Sequence, residues 1–216
     1  MIYRSTMTML VLKGIVKTFG NFTLRADFLE IPSGRIVCVK GPNGSGKSTL
    51  LNIIAGIVLP DSGKIFYNGI DITYLEPEKR RFPIIRSEKG IFPHMSVERN
   101  IKIAKRVDDN ELNRILDLLK INHDDLEKRA GSLSTGWKIR VSLARGLASA
   151  PGVILIDEGL DHLDPWYIEC CLKNLMSYMR EKGIIALIVT HRDDIGCDET
   201  LVMINGLASL ETKRNT

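Results

Sequence analysis

The chain carries the run Gly41-Pro42-Asn43-Gly44-Ser45-Gly46-Lys47-Ser48, which matches the phosphate-binding pattern G-x-x-x-x-G-K-[ST]. Its glycines let backbone N–H groups approach phosphate oxygens closely, which a Cβ would prevent. Lys47 offers a positive charge to the β- and γ-phosphates of a nucleotide, and Ser48 offers a hydroxyl to Mg²⁺. The run therefore predicts a site for the phosphates of a nucleotide at residues 41–48.

The sequence on both sides of this run has the pattern that a phosphate-binding loop requires. Residues 35–40 are rich in β-branched side chains and predict a strand, whereas residues 49–56 are apolar at helical spacing and end on a glycine. A helix N-terminus carries partial positive charge, so the first turn of this helix, with Thr49, adds to the attraction for phosphate. A chance match to the motif would lack this context.

Length and charge set broad limits on the class of protein. The 216 residues fit one domain, or one domain with a small insertion, and the net charge of +4 is too small to indicate a nucleic-acid partner. The basic run 78–81 is interpreted as a solvated surface turn, with contact to a polyanion as the alternative. No stretch reaches the ~20 apolar residues of a membrane span, and the N-terminus lacks the apolar core of a secretory signal.

The four cysteines, Cys38, Cys170, Cys171 and Cys197, show no spacing typical of metal ligands. We expect reduced, structural thiols in a cytosolic protein, and a redox pair is the alternative. The histidines other than His191 have no placement that suggests chemistry, and we interpret them as structural.

The rest of the chain alternates between predicted strands and predicted helices. Short strands are expected within 8–34, separated by turns at Gly14, Gly20-Asn21 and 32–34. The stretch 97–129 has helical periodicity, with Leu112, Ile115, Leu116 and Leu119 on one face. Further predicted elements are a strand at 64–67 with a hairpin turn at 68–69, strands at 153–156 and 184–189, and a helix at 166–181.

Polar side chains follow two of the apolar strands directly. Asp157 and Glu158 end the run that begins at Val153, and His191 ends the run that begins at Ile188. Ligands of parallel α/β sheets bind at the carboxyl ends of the strands. We therefore expect Asp157 to hold Mg²⁺, Glu158 to act as the base toward the attacking water, and His191 to contact the γ-phosphate.

The chain resembles the ATP-binding cassette family over nearly its whole length. Leu133-Ser134-Thr135-Gly136-Trp137 is similar to the family's LSGGQ signature, and Asp161-His162-Leu163-Asp164 resembles its D-loop. Phe19 falls where the family stacks an aromatic ring on adenine, with a buried core phenylalanine as the alternative. Phe92-Pro93-His94-Met95-Ser96-Val97 resembles the segment that faces a membrane permease in transporters.

This resemblance implies an α/β P-loop NTPase fold with a central, mostly parallel sheet and an antiparallel β subdomain. The chain would form a single domain spanning 1–216, with a helical subdomain inserted at about 87–131. It implies ATP and Mg²⁺, with Ser134 and Gly136 of one copy closing over ATP held by a second copy or a homologous subunit, head to tail. Other implied partners are separate permease subunits, with no nucleic acid. The protein would lie in the cytoplasm, against the inner face of the cell membrane.

The chain departs from the family pattern at several positions. Ser87 stands where the Q-loop glutamine is expected, with Glu88 as a substitute after a one-residue slip, and Thr135 and Trp137 replace a glycine and a glutamine of the signature. We expect an active ATPase whose rate these changes affect. A soluble cassette ATPase, for example one that serves cluster assembly, and a weakly catalytic regulatory module are alternatives. The substrate and the direction of transport stay open.

Overall fold

The computed structural model describes residues 9–86 and 90–211, and the ten strands found there form one sheet. The strands follow the order β5-β4-β1-β2-β10-β9-β3-β8-β7-β6 across the sheet. They are β1 (Met9–Phe19), β2 (Phe22–Pro32), β3 (Ile36–Lys40), β4 (Ser62–Tyr67), β5 (Ile70–Asp71), β6 (Ile84–Arg86), β7 (Val153–Asp157), β8 (Ile185–Val189), β9 (Glu199–Ile204) and β10 (Leu207–Glu211).

The helices connect these strands. They are α1 (Lys47–Ala55), α2 (Pro77–Arg80), α3 (Val97–Lys102), α4 (Asp109–Leu118), α5 (Thr135–Ala148), α6 (Pro165–Tyr167) and α7 (Lys173–Glu181), and a π-helical turn, Ile168–Leu172, joins α6 to α7. No helix among the described residues is long and apolar enough to cross a membrane.

The sheet has a parallel half and an antiparallel half, which confirms the predicted fold class. Strands β9, β3, β8, β7 and β6 are parallel to one another, and β3 and β8 lie in the middle with nearly every side chain buried. Strands β1, β2, β4 and β5 pair antiparallel. The carboxyl ends of the parallel strands therefore meet at one edge, next to the N-terminus of α1.

The predicted turn at Gly14 is wrong, because β1 runs through this residue. The pairing of β1 with β4 shifts in register between Lys13 and Val16, so Gly14 lies in a bulge, with a φ of 59°. The predicted turn at Gly20-Asn21 is confirmed as the tip of the β1–β2 hairpin. Two long strands thus replace several short ones.

The predicted helical stretch 97–129 is broken into α3, α4 and a single 3₁₀ turn at His123–Asp125. The predicted apolar face is buried in the core, with Leu112, Ile115, Leu116 and Leu119 at most 7% exposed. Ser96 and Asp108 cap the two helices by accepting from the backbone N–H groups of Arg99 and Glu111. The insertion of a helical subdomain at 87–131 stays a prediction.

Strands β9 and β10 form a hairpin that the sequence interpretation missed. Asn205 and Gly206 join them and both have positive φ, as a tight two-residue turn requires. The Asn-Gly pair was an available signal for this hairpin. β9 pairs with β3, so the hairpin extends the sheet from its parallel half to its antiparallel half.

The interpretation of residues 78–81 as a solvated turn is wrong for Arg80, which is only 5% exposed. Its guanidinium fills the space at the C-terminal end of α1, where Gly56 leaves room because it has no side chain. It donates four hydrogen bonds of 2.6–2.9 Å, to the carbonyl oxygens of Ile53, Ile54, Thr73 and Leu75. Arg80 therefore donates to carbonyl groups at a helix end, and its burial excludes contact with a polyanion.

The expectation of reduced cysteines is wrong for Cys38 and Cys197, which the structure joins in a disulfide bond. Cys38 lies in the buried strand β3, and Cys197 lies in the loop before β9, 159 residues later in the sequence. Their proximity results from the pairing of β3 with β9, which their sequence spacing does not reveal. Cys170 and Cys171 are free thiols, the first exposed and the second buried.

We expect reduction of the Cys38–Cys197 disulfide to lower the free energy of unfolding by about 2–5 kcal/mol, because a bond that closes so long a loop restricts the unfolded chain. Thermal unfolding of the oxidised protein with and without dithiothreitol measures this change. Cys170→Ser is the control, since it removes an exposed free thiol. Titration of four free thiols in the unreduced, denatured protein would contradict the prediction.

Candidate nucleotide-binding site

The phosphate loop lies between the end of β3 and the start of α1, as the sequence predicts. Lys47 is 6% exposed, and its ammonium donates to the carbonyl oxygens of Gly41 at 2.8 Å and Pro42 at 3.0 Å. Ser45 is 3% exposed, and its hydroxyl has no hydrogen-bond partner among the described residues. A buried lysine held only by carbonyl groups leaves a positive charge available to an anion in the loop.

Backbone conformation explains two of the glycines in this loop. Gly41 has a φ of 147°, and a Cβ there would lie 2.1 Å from the carbonyl oxygen of Met203. Gly46 has a φ of 98°, and a Cβ would lie 2.9 Å from the ring of Phe22. A side chain at Gly41 would therefore displace β9, and one at Gly46 would displace the Phe22 ring.

The two acidic residues at the end of β7, Asp157 and Glu158, make different contacts. Asp157 accepts a hydrogen bond from the Ser48 hydroxyl at 2.9 Å, which joins the loop to the sheet edge. Glu158 has a left-handed backbone with a φ of 57°, and its N–H donates to the carbonyl oxygen of Val189 at 3.1 Å. Its side chain is exposed and forms no ion pair or hydrogen bond among the described residues. The two neighbouring acids thus have different surroundings.

A cavity of about 530 Å³ lies over the phosphate loop. Phe19, which is 47% exposed, forms one end of it, and Glu158 lies in its wall. Phe22 also lines this cavity. The sequence analysis did not predict this role, although the two-residue turn between Phe19 and Phe22 places the two residues opposite each other. The other lining residues are Asn43, Gly44, Gly46, Lys47, Ser48 and Thr49. The cavity therefore combines aromatic surface with phosphate-binding groups.

His191 does not line this cavity. It is exposed, two residues beyond the end of β8, and its backbone N–H donates to Asp161 Oδ2 at 3.2 Å. Thr190 donates to the other oxygen of the same carboxylate. Asp161 thereby fixes the backbone from which His191 projects, a contact that no local sequence pattern predicts.

Ser134 and Gly136 lie at the N-terminus of α5 and also stand apart from the cavity lining. Ser134 caps the helix, since its hydroxyl accepts from the N–H of Trp137 at 3.4 Å. A Cβ on Gly136 would lie 3.3 Å from the carbonyl oxygen of His162. The signature-like run 133–137 and the D-loop-like run 161–164 therefore pack against each other. Ser134 is exposed, which leaves this helix end open to another molecule.

Trp137 packs against a buried arginine of its own helix. The guanidinium carbon of Arg140 lies 3.8 Å from the centre of the Trp137 ring and 5.6 Å from that of Tyr167. Burial lowers the pKa of Arg140, and the nearby Asp164 carboxylate partly offsets this effect. The unusual tryptophan therefore stabilises the first turns of α5.

Ser87 and Glu88, the candidates for the Q-loop position, lie outside the described residues. The residue before them, Arg86, is described and ends β6 as the register partner of Asp157. Its Nε lies 3.6 Å from Asp157 Oδ2. Sequence reasoning missed this arginine, because nothing in the sequence pairs β6 with β7.

A comparison with protein families matches residues 24–161 to the ABC transporter model. The chain belongs to the ABC transporter family. The match includes the phosphate loop, the signature-like run and the acidic end of β7. The recognition drawn from the motifs is thus confirmed.

Curated proteins similar to this ABC family member include import ATP-binding proteins. A molybdate/tungstate import ATP-binding protein of Archaeoglobus fulgidus is 39% identical over 88% of this chain and 81% of its own length. One of the same description from Thermococcus kodakarensis is 37% identical over 91% of this chain and 62% of its length. A sulfate/thiosulfate import ATP-binding protein of Synechocystis is 36% identical over 91% of this chain and 58% of its length. The chain therefore spans little more than half the length of several of these relatives.

Solved ABC cassettes share the fold. A nucleotide-free ATP-binding cassette from an ABC transporter has a TM-score of 0.80 and 29% identity, covering 96% of this chain and 92% of that one. A bacterial ABC transporter cassette solved as a dimer also has a TM-score of 0.80, with 25% identity, covering 96% of this chain and all of the other. The P-loop fold class is thereby confirmed over nearly the full chain.

The groups at the loop fit Mg²⁺ and a nucleotide. The Ser48 hydroxyl and the Asp157 carboxylate form an oxygen pair, and Mg²⁺ takes few protein ligands because water and phosphate oxygens fill its other positions. The described residues contain no cluster of three or more histidine, cysteine or acidic side chains placed to hold a metal. A metal in this cavity would therefore depend on Ser48, Asp157 and the nucleotide itself.

Proposed function

We propose that this chain is the ATP-binding and ATP-hydrolysing subunit of an ABC importer. The observation that carries the proposal is one cavity lined by Phe19, Lys47, Ser48 and Glu158, with Asp157 in contact with Ser48. Aromatic surface, an amine, a hydroxyl and a free carboxylate are the groups needed to bind a nucleoside triphosphate and activate water. Phe19 and Phe22 would pack on the base.

The phosphate loop would bind the nucleotide through donors that now point to its own carbonyl groups. The Lys47 ammonium would donate to the β- and γ-phosphates, together with backbone N–H groups of the loop and of the first turn of α1, from Lys47 to Thr49. Ser48 and Asp157 would hold Mg²⁺, which neutralises phosphate charge when bound. Glu158 would accept the proton of the attacking water, and His191 would contact the γ-phosphate.

The site would be completed by a second copy of the chain or a homologous subunit. Ser134 and Gly136 do not line the cavity that holds the phosphate loop, yet they form an exposed helix N-terminus suited to an anion. A head-to-tail dimer would bring this helix end of one copy to the γ-phosphate bound by the other. The relative solved as a dimer supports this arrangement.

The transport role follows from the relatives rather than from the site. Each of the similar curated proteins cited above is named an import ATP-binding protein, and their substrates differ. We therefore extend import to this chain without a substrate. Separate permease subunits would contact the segment that begins at Phe92, holding the protein in the cytoplasm against the inner face of the membrane.

Lys47→Ala tests the proposal, because it removes the charge aimed at the phosphates. We expect the dissociation constant for Mg-ATP, measured by calorimetry, to rise about 100-fold, and nucleotide-dependent dimerisation to disappear from size-exclusion profiles. Arg25→Gln is the control, since it removes an exposed positive charge on β2, away from the cavity. Mg-ATP binding of the Lys47→Ala protein at wild-type affinity would contradict the proposal.

A further inference from the structure

Arg86 introduces a positive charge beside the proposed metal ligand. It is the last residue of β6, and its backbone pairs with Asp157 of β7 and bridges to Glu158. Its guanidinium forms an ion pair with Asp157 Oδ2 at 3.6 Å and donates to Asn52 Oδ1 on α1. The arginine therefore lies between the helix that follows the phosphate loop and the acidic strand end.

The two oxygens of Asp157 have different partners. Oδ1 accepts from Ser48 at 2.9 Å, whereas Oδ2 faces Arg86. The carboxylate itself is 10% exposed, but the Arg86 side chain is 41% exposed. Among the described residues, the side chains that Arg86 bonds or pairs with are those of Asn52 and Asp157 alone. The guanidinium is thus the more exposed member of the pair, and a turn away from the carboxylate breaks this ion pair and the hydrogen bond to Asn52.

A metal and the guanidinium would compete for this carboxylate. A divalent cation on Asp157 and a positive charge 3.6 Å from the same group repel each other across a short distance. Phosphate oxygens of a nucleotide held next to Ser48 would lie beside the same carboxylate and would offer the displaced arginine a new partner. Guanidinium groups bind phosphate oxygens in a bidentate manner, which makes that move favourable.

We propose that Arg86 is a nucleotide-binding residue that pairs with Asp157 when no metal is bound and turns to the terminal phosphate of ATP when a metal takes the carboxylate. The proposal rests on the proposed function, since it assigns one more residue to the same site. It gives Arg86 two measurable effects. The arginine weakens metal binding, and it favours ATP over ADP.

The test uses Arg86→Gln in the full chain, with Mn²⁺ as the metal probe. In the presence of ADP, we expect electron paramagnetic resonance titration to show Mn²⁺ bound about fivefold to tenfold more tightly than by the wild type, because the competing cation is gone. In the presence of saturating Mn²⁺, calorimetry with ADP and with a non-hydrolysable ATP analogue should show the ratio of analogue affinity to ADP affinity about tenfold lower than in the wild type. Neither readout requires hydrolysis.

Two further variants separate charge from structure. Arg86→Lys retains the positive charge, and we expect it to keep most of the preference for ATP. Arg25→Gln removes an exposed arginine from β2 and is expected to change neither quantity. Thermal unfolding of each variant reports whether the fold is intact. If Arg86→Gln unfolds, Arg86→Met, which keeps the aliphatic part of the side chain and removes the charge, replaces it in both titrations.

Several results would overturn the assignment. Mn²⁺ affinity and nucleotide preference both within twofold of the wild type would make the Arg86–Asp157 pair a purely structural contact. Weaker Mn²⁺ binding in Arg86→Gln would show that the arginine only positions Asp157, and an unchanged preference for ATP would remove the phosphate contact. Wild-type protein that binds no nucleotide would instead overturn the proposed function, and this assignment with it.

Discussion

Replacement of Glu158 by glutamine is expected to lower the rate of ATP hydrolysis at least 100-fold while Mg-ATP binding stays near the wild-type level. A positioned general base contributes about 10²–10⁴ in rate, and an amide cannot accept the proton of the attacking water. Glutamine matches glutamate in size, so the backbone at this position, with its φ of 57° and its hydrogen bond to Val189, should be retained. Binding depends on Lys47 and the loop, which the substitution leaves unchanged.

The choice of Glu158 over Asp157 as the base follows from their contacts. The Asp157 carboxylate is engaged by Ser48 on one oxygen and by Arg86 on the other. The Glu158 carboxylate lines the cavity and has no ion pair or hydrogen bond within the described residues. A base needs a free oxygen that faces its substrate, and Glu158 is the one of the two acids that has it.

Measurement of this effect requires a closed dimer, because the groups predicted to complete the site lie outside the cavity. Phosphate release should be followed at saturating Mg-ATP, and size-exclusion chromatography should show the ATP-bound dimer of Glu158→Gln persisting longer than that of the wild type. Glu30→Gln is the control, since Glu30 is exposed on β2 and away from the cavity. Hydrolysis by Glu158→Gln at the wild-type rate would eliminate Glu158 as the base.

Local sequence patterns predicted the part of the site that lies within a few residues of a recognisable motif. The glycine loop, the helix that begins at Lys47 and the acids after β7 are each specified by short-range rules of turn, helix and strand. These elements meet because carboxyl ends of parallel strands share one edge. Phe22 was within reach of the same reasoning, since a two-residue hairpin fixes its position opposite Phe19.

The features that sequence reasoning missed depend on contacts between distant segments. Cys38 and Cys197 meet only because β3 pairs with β9, and Arg86 meets Asp157 only because β6 pairs with β7. Strand order in a sheet is set by the packing of the whole domain and has no local signature. Arg80 shows the same limit for charge, because a basic run on its own is typical of solvated surface.

A second large effect is expected from Arg80→Met, which should lower the free energy of unfolding by about 3–5 kcal/mol. Methionine retains much of the side-chain volume but donates no hydrogen bond. The carbonyl groups of Ile54, Thr73 and Leu75 therefore lose their donor, whereas that of Ile53 keeps the backbone N–H of Gly56. A buried polar group left without a partner costs about 1–3 kcal/mol, and neighbouring losses are not fully additive. Loss of the positive charge also removes a favourable interaction with the helix C-terminus.

The matched control is Arg81→Met, because Arg81 is the next residue, is exposed and forms no side-chain hydrogen bond or ion pair within the described residues. In thermal unfolding, the midpoint temperature of Arg80→Met should lie about 10 °C below those of Arg81→Met and the wild type. Arg80→Lys should be intermediate, since one ammonium cannot reach all four carbonyl oxygens in the directions that the guanidinium does. Equal stability of Arg80→Met and Arg81→Met would mean that water satisfies these carbonyls as well as the guanidinium does. The contact joins the end of α1 to the segment that leads into β6, so its loss should also loosen the phosphate loop at the other end of that helix.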